Sequence, residues 1–364
     1  MASIGIFITI LITIYILHKI YARYCLTNLD IGVAISAPTA TEGDILTLTE
    51  VLTNRKWLPL PWVSVKFRTG RELMFSTGMA TTDALYRNDV FHILMHQKIT
   101  RRLQFECTRR GHYSITGLEL TAWDLLMEQK YIRPFNCNVQ LTVYPATLPI
   151  PEVEYLCTRV YGQLRSRHPI TPDPFTFRGI REYAYGDPMK AINFKASARG
   201  IGLMVNMADF SNAREVVIIL DLQRHILWHY ENLEERAIKI AASIAAHMNK
   251  IDTPTSLISN GKNKQTGYTP HIPHGLGNQH LARILEALAM VDNHNQEIAP
   301  ISRTLESITL QGQHDQEYWL ITPYHSKETE EAYLSLCATG ARVVWIKPGD
   351  RPTDTSYHDD IIYV

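Results

Sequence analysis

Charged and aromatic side chains are concentrated in residues 177–199, which read FRGIREYAYGDPMKAINFKASAR. Arginine forks in this segment could each hold a carboxylate through two parallel hydrogen bonds, and the aromatic rings could stack on guanidinium planes. Five cations stand against two carboxylates, so the segment predicts either an ion-pair scaffold or an electropositive platform for an acidic partner. The residues of this predicted partner-docking site or interdomain latch are Arg178, Arg181, Glu182, Tyr183, Gly186, Asp187, Lys190, Phe194, Lys195 and Arg199.

A separate candidate is the carboxylate of Asp221, which ends the apolar run VVIILD. Such a run predicts a strand buried on both faces of a parallel sheet, and ligands bind beyond the carboxyl ends of these strands. The position resembles the metal site of von Willebrand factor A-like domains, which uses an Asp-x-Ser-x-Ser run. Gln223 and His225 replace the two serines, whose hydroxyl oxygens suit a hard cation. We therefore expect a degenerate position without metal, where Asp221 accepts hydrogen bonds from amides of the following turn.

Signatures of known enzymes are absent from the sequence, which contains no GxSxG, HExxH, Walker A or GxGxxG segment. His271, His274 and His280 lie close together, but no acidic or cysteine residue has the spacing of a zinc ligand. This histidine segment is therefore predicted to be a polar surface loop. We expect no catalytic residue, cofactor or enzymatic activity, with a hydrolase built on a spatial Cys–His pair as the open alternative.

The N-terminal segment is the one strongly apolar part of the chain. Ile4 to Leu17 carries no charge, and Met1 to Ile20 is just long enough to cross a bilayer. The basic residues His18, Lys19 and Arg23 follow the segment, so the positive-inside rule places the remainder of the chain in the cytoplasm. A signal peptide would need a basic start and small residues before its cleavage site. The sequence therefore predicts an uncleaved, single-pass anchor in the cell membrane.

Composition limits the classes of partner. Lys and Arg number 36, as do Asp and Glu, so no overall field favours nucleic acid, and electrostatic recognition must be local. The five cysteines lie far apart without a CxxC pair, which suits a reducing compartment and argues against a disulfide framework.

Periodicity divides the chain into an anchor and two folded regions. Alternating segments such as WVSVKF and VQLTVYP predict a β-sandwich. Prolines 59 and 61 in NRKWLPLPW predict an edge strand or loop, with Trp57 and Trp62 packed against the sandwich. After residue 215, strands alternate with helices, which predicts an α/β domain of the doubly wound, von Willebrand factor A-like class. The predicted domains are an anchor (1–24), a β-sandwich (25–148), a connector with residues 177–199 (149–215) and the α/β domain (216–364).

The segment 177–199 resembles the signature of the bacterial family called domain of unknown function 58. That pattern contains Arg-Glu-Tyr, Gly-Asp, a basic residue, Ile, an aromatic residue with Lys, and Ala-Arg. The matching residues are Arg181–Tyr183, Gly186–Asp187, Lys190, Ile192, Phe194–Lys195 and Ser197–Arg199. LMVNMADF before VVIILD, and EGD before NRKWLPLPW, extend the resemblance over nearly the whole chain. Phe194 stands where tryptophan is usual, and Asn193 stands where His or Asp is usual.

This resemblance implies a membrane-anchored, non-enzymatic adaptor that works with a MoxR-type AAA+ ATPase in the maturation or assembly of client complexes. Many relatives enter the membrane with two helices, which would keep the N-terminus inside. Two alternatives stay open. One is a Mg²⁺-dependent adhesion-type module centred on Asp221, and the other is a scaffold for cell-envelope machinery without an ATPase.

Overall fold

A computed structural model describes residues 2–68, 72–75, 86–124, 127, 129–167, 177–184, 189, 192–199, 202–208, 215–223, 231–292, 298–312, 316–349 and 361–364. The chain divides into two compact units. The first is Met1–Ala146 with Leu288–Met290, and the second is Thr147–Ala287 with Val291–Val364.

The described part of the first unit is one helix followed by nine strands. They are α1 (Ala2–Tyr24), β1 (Leu29–Ile35), β2 (Thr39–Thr41), β3 (Ile45–Asn54), β4 (Leu60–Arg68), β5 (Leu73–Phe75), β6 (Tyr86–Ile93), β7 (Lys98–Cys107), β8 (Gly111–Trp123) and β9 (Lys130–Tyr144). One sheet has the order β1-β3-β7-β5 and the other β2-β9-β8-β4-β6. Leu48 and Phe105 from the first sheet share one buried cluster with Val65 and Leu120 from the second. The unit is therefore a β-sandwich whose core lies between the two sheets.

The prediction that prolines 59 and 61 mark an edge or loop is confirmed for Pro59, which lies in the loop between β3 and β4, and is wrong for Pro61, which lies in β4. This strand pairs with β6 on one side and with β8 on the other, so it lies inside its sheet. The pairing with β6 shifts register between Leu60 and Val63. Pro61 is the second residue of β4 and lies within this irregularity, where the regular ladder of hydrogen bonds is interrupted. Proline is tolerated in sheets at strand starts and at such irregularities.

The two tryptophans beside these prolines are also placed differently from the prediction. Trp57 is 59% exposed and Trp62 is 45% exposed. Neither ring is packed into the sandwich core, because the buried positions of this segment are taken by Leu58 and Leu60.

Helix α1 contains the apolar stretch Ile4–Tyr24, which is long and apolar enough to cross a membrane. Its side chains from Ile4 to Ile16 are largely exposed, whereas Tyr21 is buried. Leu17 and Ile20 pack against the sandwich core, and Tyr21 and Cys25 belong to it. The last turns of α1 are therefore part of the fold of the first unit.

The second unit alternates strands and helices. Its elements are α2 (Ile150–Arg167), β10 (Phe177–Glu182), α3 (Phe194–Ser197), β11 (Met204–Ala208), β12 (Glu215–Leu220), α4 (Glu231–Lys250), β13 (Thr255–Ser259), β14 (Lys262–Asn263), β15 (His271–Gly275), α5 (Asn278–Met290), β16 (Val291–Asp292), α6 (Ile301–Gln311), β17 (Gln316–Ile321), α7 (Lys327–Ala338), β18 (Arg342–Lys347) and β19 (Ile361–Tyr363). The main sheet has the order β15-β13-β12-β17-β18-β19. Its strands pair in parallel except for the antiparallel edge strand β15.

Helices cover both faces of this sheet. On one face, side chains of α6 and α7 such as Leu305 and Tyr333 share a buried cluster with Val217 and Leu320. On the other face, α2 and α4 contact the sheet strands and each other. Apolar residues on both faces explain why the central strands form uninterrupted hydrophobic runs.

Two segments of the second unit differ from their predictions. Residues 150–167, predicted to be part of a connector, form α2, whose buried residues Val153, Leu156, Val160 and Leu164 follow a helical period. The histidine segment, predicted to be a loop, contains the edge strand β15. The antiparallel pairing of β15 with β13 supplies backbone hydrogen bonds that its polar composition does not reveal.

We expect an added methyl group to have opposite effects on stability at two glycines of the second unit. A Cβ at Gly261 would lie 2.5 Å from Val291 Cγ1 and 2.8 Å from Leu222 Cδ1, whereas Gly162 in α2 has open space. We expect Gly261→Ala to lower the free energy of unfolding by about 1–3 kcal/mol through overpacking. Gly162→Ala should raise it by up to about 1 kcal/mol through helix propensity. Thermal unfolding of both variants measures these two changes. A Gly162→Ala variant that is less stable than the wild type would contradict the prediction.

Candidate functional site

The segment with the predicted latch residues folds as a small antiparallel lobe. Strand β10 pairs with β11, with Arg181 opposite Val205 and Glu182 opposite Met204. The Tyr183 amide donates to the Leu203 carbonyl over 2.8 Å, which extends the pairing beyond β10. We call β10, α3 and β11 with their described connections the signature lobe.

Asn193 organises the turn that enters α3. Its Oδ1 accepts the Ala196 amide at 2.9 Å, and its Nδ2 donates to Asn206 Oδ1 at 2.6 Å. Ser197 Oγ donates to the Asn193 carbonyl and accepts the Met204 amide, each over 2.8 Å. One asparagine therefore caps the short helix and fastens it to β11.

A pocket of about 370 Å³ opens on this lobe, lined by Ile180, Asn193, Lys195, Ala196, Arg199 and Met204. We call it the signature pocket. Both of its cations are exposed, and among the described residues neither Lys195 nor Arg199 forms an ion pair. Phe194 and Met189, on the same lobe, are 74% and 73% exposed. The lobe thus presents positive charge and large apolar groups together on its surface.

The other predicted latch residues are distributed around this pocket and outside it. Arg181 and Glu182 are exposed at the end of β10, and Arg181 Nη1 donates to the Glu182 carbonyl at 3.0 Å. Arg178 is in β10, and Tyr183, directly after it, is half-buried. Gly186, Asp187 and Lys190, together with His225 of the predicted degenerate metal position, lie outside the described residues.

Asp221 is buried at the carboxyl edge of the parallel sheet, with 1% of its surface exposed. Its Oδ1 accepts the Gln223 amide at 2.9 Å, which is the bond to the following turn expected from the sequence. The same oxygen accepts Asn260 Nδ2 at 2.6 Å. Asn260 follows β13, donates to the Ala299 carbonyl at 3.0 Å and accepts the Leu222 amide at 2.8 Å. The pair therefore ties together the turns that follow β12 and β13.

The position of this pair coincides with the point where the sheet topology changes direction. The chain runs from β12 to β13 on one side and later places β17 on the other side of β12. Thr322, directly after β17, is fully buried and accepts Trp345 Nε1 at 2.6 Å. In open sheets this edge is the usual place for ligands, but here the described polar groups satisfy one another.

Burial raises the pKa of Asp221 to about 6, although the hydrogen bonds from Gln223 and Asn260 lower it. The carboxylate therefore costs stability when it is ionised inside the protein. Among the residues that the structure describes, no group of three or more His, Cys, Asp or Glu is placed to hold a metal ion.

The three histidines meet at a second pocket of about 400 Å³, which Arg283 also lines. His274 Nε2 lies 2.9 Å from Gln316 Nε2 and 3.2 Å from Glu215 Oε2. Burial lowers the pKa of His274. Glu215 raises this pKa, whereas the neighbouring His280 and His271 lower it. Burial of the ring therefore favours the neutral form of His274 over the charged form.

The sequence prediction missed three polar residues of these sites: Asn193, Asn260 and Thr322. Asn260 and Thr322 each stand directly after a strand, a position that could have marked them as neighbours of Asp221 at one sheet edge. Asn193 was noted only as a departure from a family pattern. Its position one residue before a helix is the signal for a cap.

Residues 179–321 match a family model described as "Protein of unknown function DUF58". The matched range contains the signature pocket, Asp221 and Asn260. No curated protein matches the chain.

Three solved structures that resemble the chain each cover about a third of its length. A type II cohesin domain from the cellulosome of Acetivibrio cellulolyticus is 11% identical, with a TM-score of 0.25, over 31% of this chain and 95% of that one. A cohesin module from a Clostridium perfringens family 33 glycoside hydrolase is 6% identical, with a TM-score of 0.24, over 33% and 98%. AvmM, which catalyses macrocyclisation in alchivemycin A biosynthesis, is 12% identical, with a TM-score of 0.23, over 34% and 93%.

The buried carboxylate predicts a pH dependence of stability. The folded-state pKa of Asp221, about 6, lies above the ordinary value of 3.8. The folded state therefore binds the extra proton between these values, and its stabilising effect is lost as the pH rises through 6. Asp221→Asn keeps an acceptor oxygen without the charge. We expect this variant to be more stable than the wild type at pH 7.5, by up to about 3 kcal/mol, and the difference to vanish near pH 4.

Unfolding of the full chain in detergent micelles, followed at pH 4, 5.5 and 7.5, measures this difference. Asp252→Asn is the control, because Asp252 is an exposed carboxylate of the same unit. If the wild type and Asp221→Asn respond identically to pH, Asp221 is not held as a costly buried anion.

Proposed function

Because residues 179–321 belong to the family described as protein of unknown function DUF58, we propose that the chain is a membrane-anchored adaptor. In this proposal it works with a MoxR-type AAA+ ATPase in the maturation or assembly of client complexes, and it catalyses no reaction itself. The α/β domain is of the von Willebrand factor A-like class, and residues 177–199 are the docking site for the ATPase.

The observation that carries the docking role is the surface of the signature lobe. Lys195 and Arg199 are exposed cations beside a pocket, and Phe194 and Met189 are large apolar side chains left in solvent. Exposed apolar groups and unpaired charges contribute little to the stability of a lobe, but both are typical of protein–protein contact sites. An acidic surface with an apolar centre is the complement of this lobe.

The anchoring role is supported by the junction between α1 and the first unit. A cleaved signal sequence leaves the mature protein, yet Tyr21 and Cys25 belong to the sandwich core and are almost fully buried. Removing the last turns of α1 would open a hole in that core. We infer that α1 is a retained, single-pass anchor of the cell membrane. The basic residues that follow its apolar part favour a cytoplasmic location of both folded units.

The proposal predicts that the charge of the signature pocket controls partner capture. The double variant Lys195→Glu/Arg199→Glu reverses both pocket cations, and Lys264→Glu reverses an exposed lysine elsewhere on the second unit. We expect crosslinked capture from native membranes to recover a MoxR-type ATPase in one nucleotide state, ATP or ADP. Capture should fall roughly tenfold or more in the double variant because like charges now oppose, and it should persist in Lys264→Glu.

Thermal unfolding of each variant confirms that it is folded before capture is compared. Full capture by the folded double variant would refute docking through this pocket. If the wild type recovers cell-envelope proteins and no ATPase in either nucleotide state, the scaffold function replaces the adaptor function.

A further inference from the structure

Three loops of the first unit meet at the end of the sandwich where α1 enters. Strand register places them there, because Leu29 pairs with Asn54 and Leu60 pairs with Ile93, while Trp123 pairs with Lys130. The loops connect β3 to β4, β6 to β7, and β8 to β9. The strand ends that carry these loops therefore lie at one end of the sandwich.

Hydrogen bonds fasten the helix to these loops. Tyr21 Oη donates to the Pro59 carbonyl at 2.9 Å, and His18 Nδ1 lies 3.5 Å from Asp124 Oδ2. Lys56, which is buried, donates from Nζ to the Thr27 carbonyl at 3.0 Å. The direction of α1 relative to the sandwich is thus fixed by contacts from the β3–β4 and β8–β9 loops.

Large apolar side chains stand exposed on the same loops and on the strand start beside them. They are Trp57 (59% exposed), Trp62 (45%), Leu94 (48%), Met95 (58%) and Met127 (52%). We call these five residues the junction rim. The buried Leu58 of the β3–β4 loop already belongs to the sandwich core. Exposure of the rim therefore has no role in the packing of the first unit.

The apolar stretch of α1 and the sandwich overlap along the helix. The candidate span runs from Ile4 to Tyr24, but the helix already packs against the sandwich core from Leu17 onward. No spacer separates the candidate span from the sandwich. If the span lies in a bilayer, the bilayer surface therefore lies at the level of the loops. At 1.5 Å per residue, Ile4–Ile16 covers about 20 Å, which is less than the roughly 30 Å hydrocarbon layer.

We propose that the junction rim is a membrane-contact surface, seated in the headgroup region of the bilayer that α1 crosses. The inference rests on the anchoring role in the proposed function. Tryptophan favours this region because its ring is apolar while its N–H can still reach water and headgroups. The exposed Arg23 supplies positive charge for anionic headgroups, and Arg55, which is also exposed, lies 3.3 Å from Asp30 Oδ2. The first unit would then rest directly on the bilayer.

Fluorescent probes attached to a cysteine introduced at one of three positions test the proposal in the full chain. Met95→Cys reports on the rim, Ile10→Cys reports on the exposed part of α1, and Ile45→Cys reports on the far end of β3, where the side chain is 68% exposed. Ten residues of β3 separate Ile45 from the rim end, about 30 Å in a strand. Each variant is labelled with a polarity-sensitive nitrobenzoxadiazole dye and placed in nanodiscs of phosphatidylcholine and phosphatidylglycerol. The unsubstituted chain, labelled alongside, corrects for the native cysteines.

Brominated lipid should quench the dye at positions 10 and 95 and leave position 45 bright, with blue-shifted emission at 95. Adding Trp57→Ser/Trp62→Ser to Met95→Cys should reduce quenching at 95 while position 10 stays quenched. If position 10 is quenched but 95 behaves like 45, α1 crosses the membrane while the rim stands clear, and the membrane-contact proposal is wrong. A rim shielded from a water-soluble quencher but untouched by brominated lipid would show that a protein covers it, which also overturns the proposal. If position 10 itself is not quenched, the anchoring role fails.

Discussion

The entry of α1 into the sandwich core is the constraint on which the account of the first unit depends. The side chains of Tyr21 and Cys25 are nearly inaccessible to solvent, and they pack with residues from both sheets. Burial of such side chains contributes on the order of a few kcal/mol each, so the helix end cannot leave without a substantial loss of stability. If α1 crosses the membrane as we propose, its place in the core fixes the orientation of the sandwich relative to the bilayer. A flexible tether would leave that orientation free.

The second unit has its own organising interaction at the carboxyl edge of its parallel sheet. Asp221 and Asn260 take part in four hydrogen bonds, two of which join the turns after two neighbouring strands. Ionised Asp221 lowers the stability of this unit at neutral pH, since burial disfavours its charge. Asparagine at this position would make the same contacts without that cost. Asp221 therefore carries an energetic cost at the topological switch point that the packing of this edge does not require.

The sequence predicted the elements whose local pattern agrees with their tertiary surroundings. The run VVIILD is apolar because helices cover both faces of β12, and the same reasoning located the α/β region. The prediction failed where context overrides local preference. Pro61 begins a central strand because the register shift absorbs its missing amide, and β15 is a polar strand because only one neighbour pairs with it. Helix α2 was missed although Leu156, Val160 and Leu164 have helical spacing, because the prolines ahead of it suggested a linker.

The site residues show the same division. Charged groups such as Lys195 and Arg199 could be selected from sequence because cations without nearby carboxylates stand out. Their arrangement around one pocket depends on the Asn193 cap, which no charge pattern indicates. Trp57 and Trp62 were predicted to pack on the sandwich because large aromatic rings usually do. They are exposed because Leu58 and Leu60 take the buried positions of this segment, which its composition alone does not indicate.

The central claim is that α1 remains in the mature protein as both membrane anchor and core element. The most direct test is mass spectrometry of the protein extracted from its native membranes, with peptide coverage across residues 2–28. The account predicts that the membrane-bound protein contains Tyr21 and the apolar residues of α1 that precede it. A mature chain that begins after Tyr21 and is recovered in the soluble fraction would contradict the account.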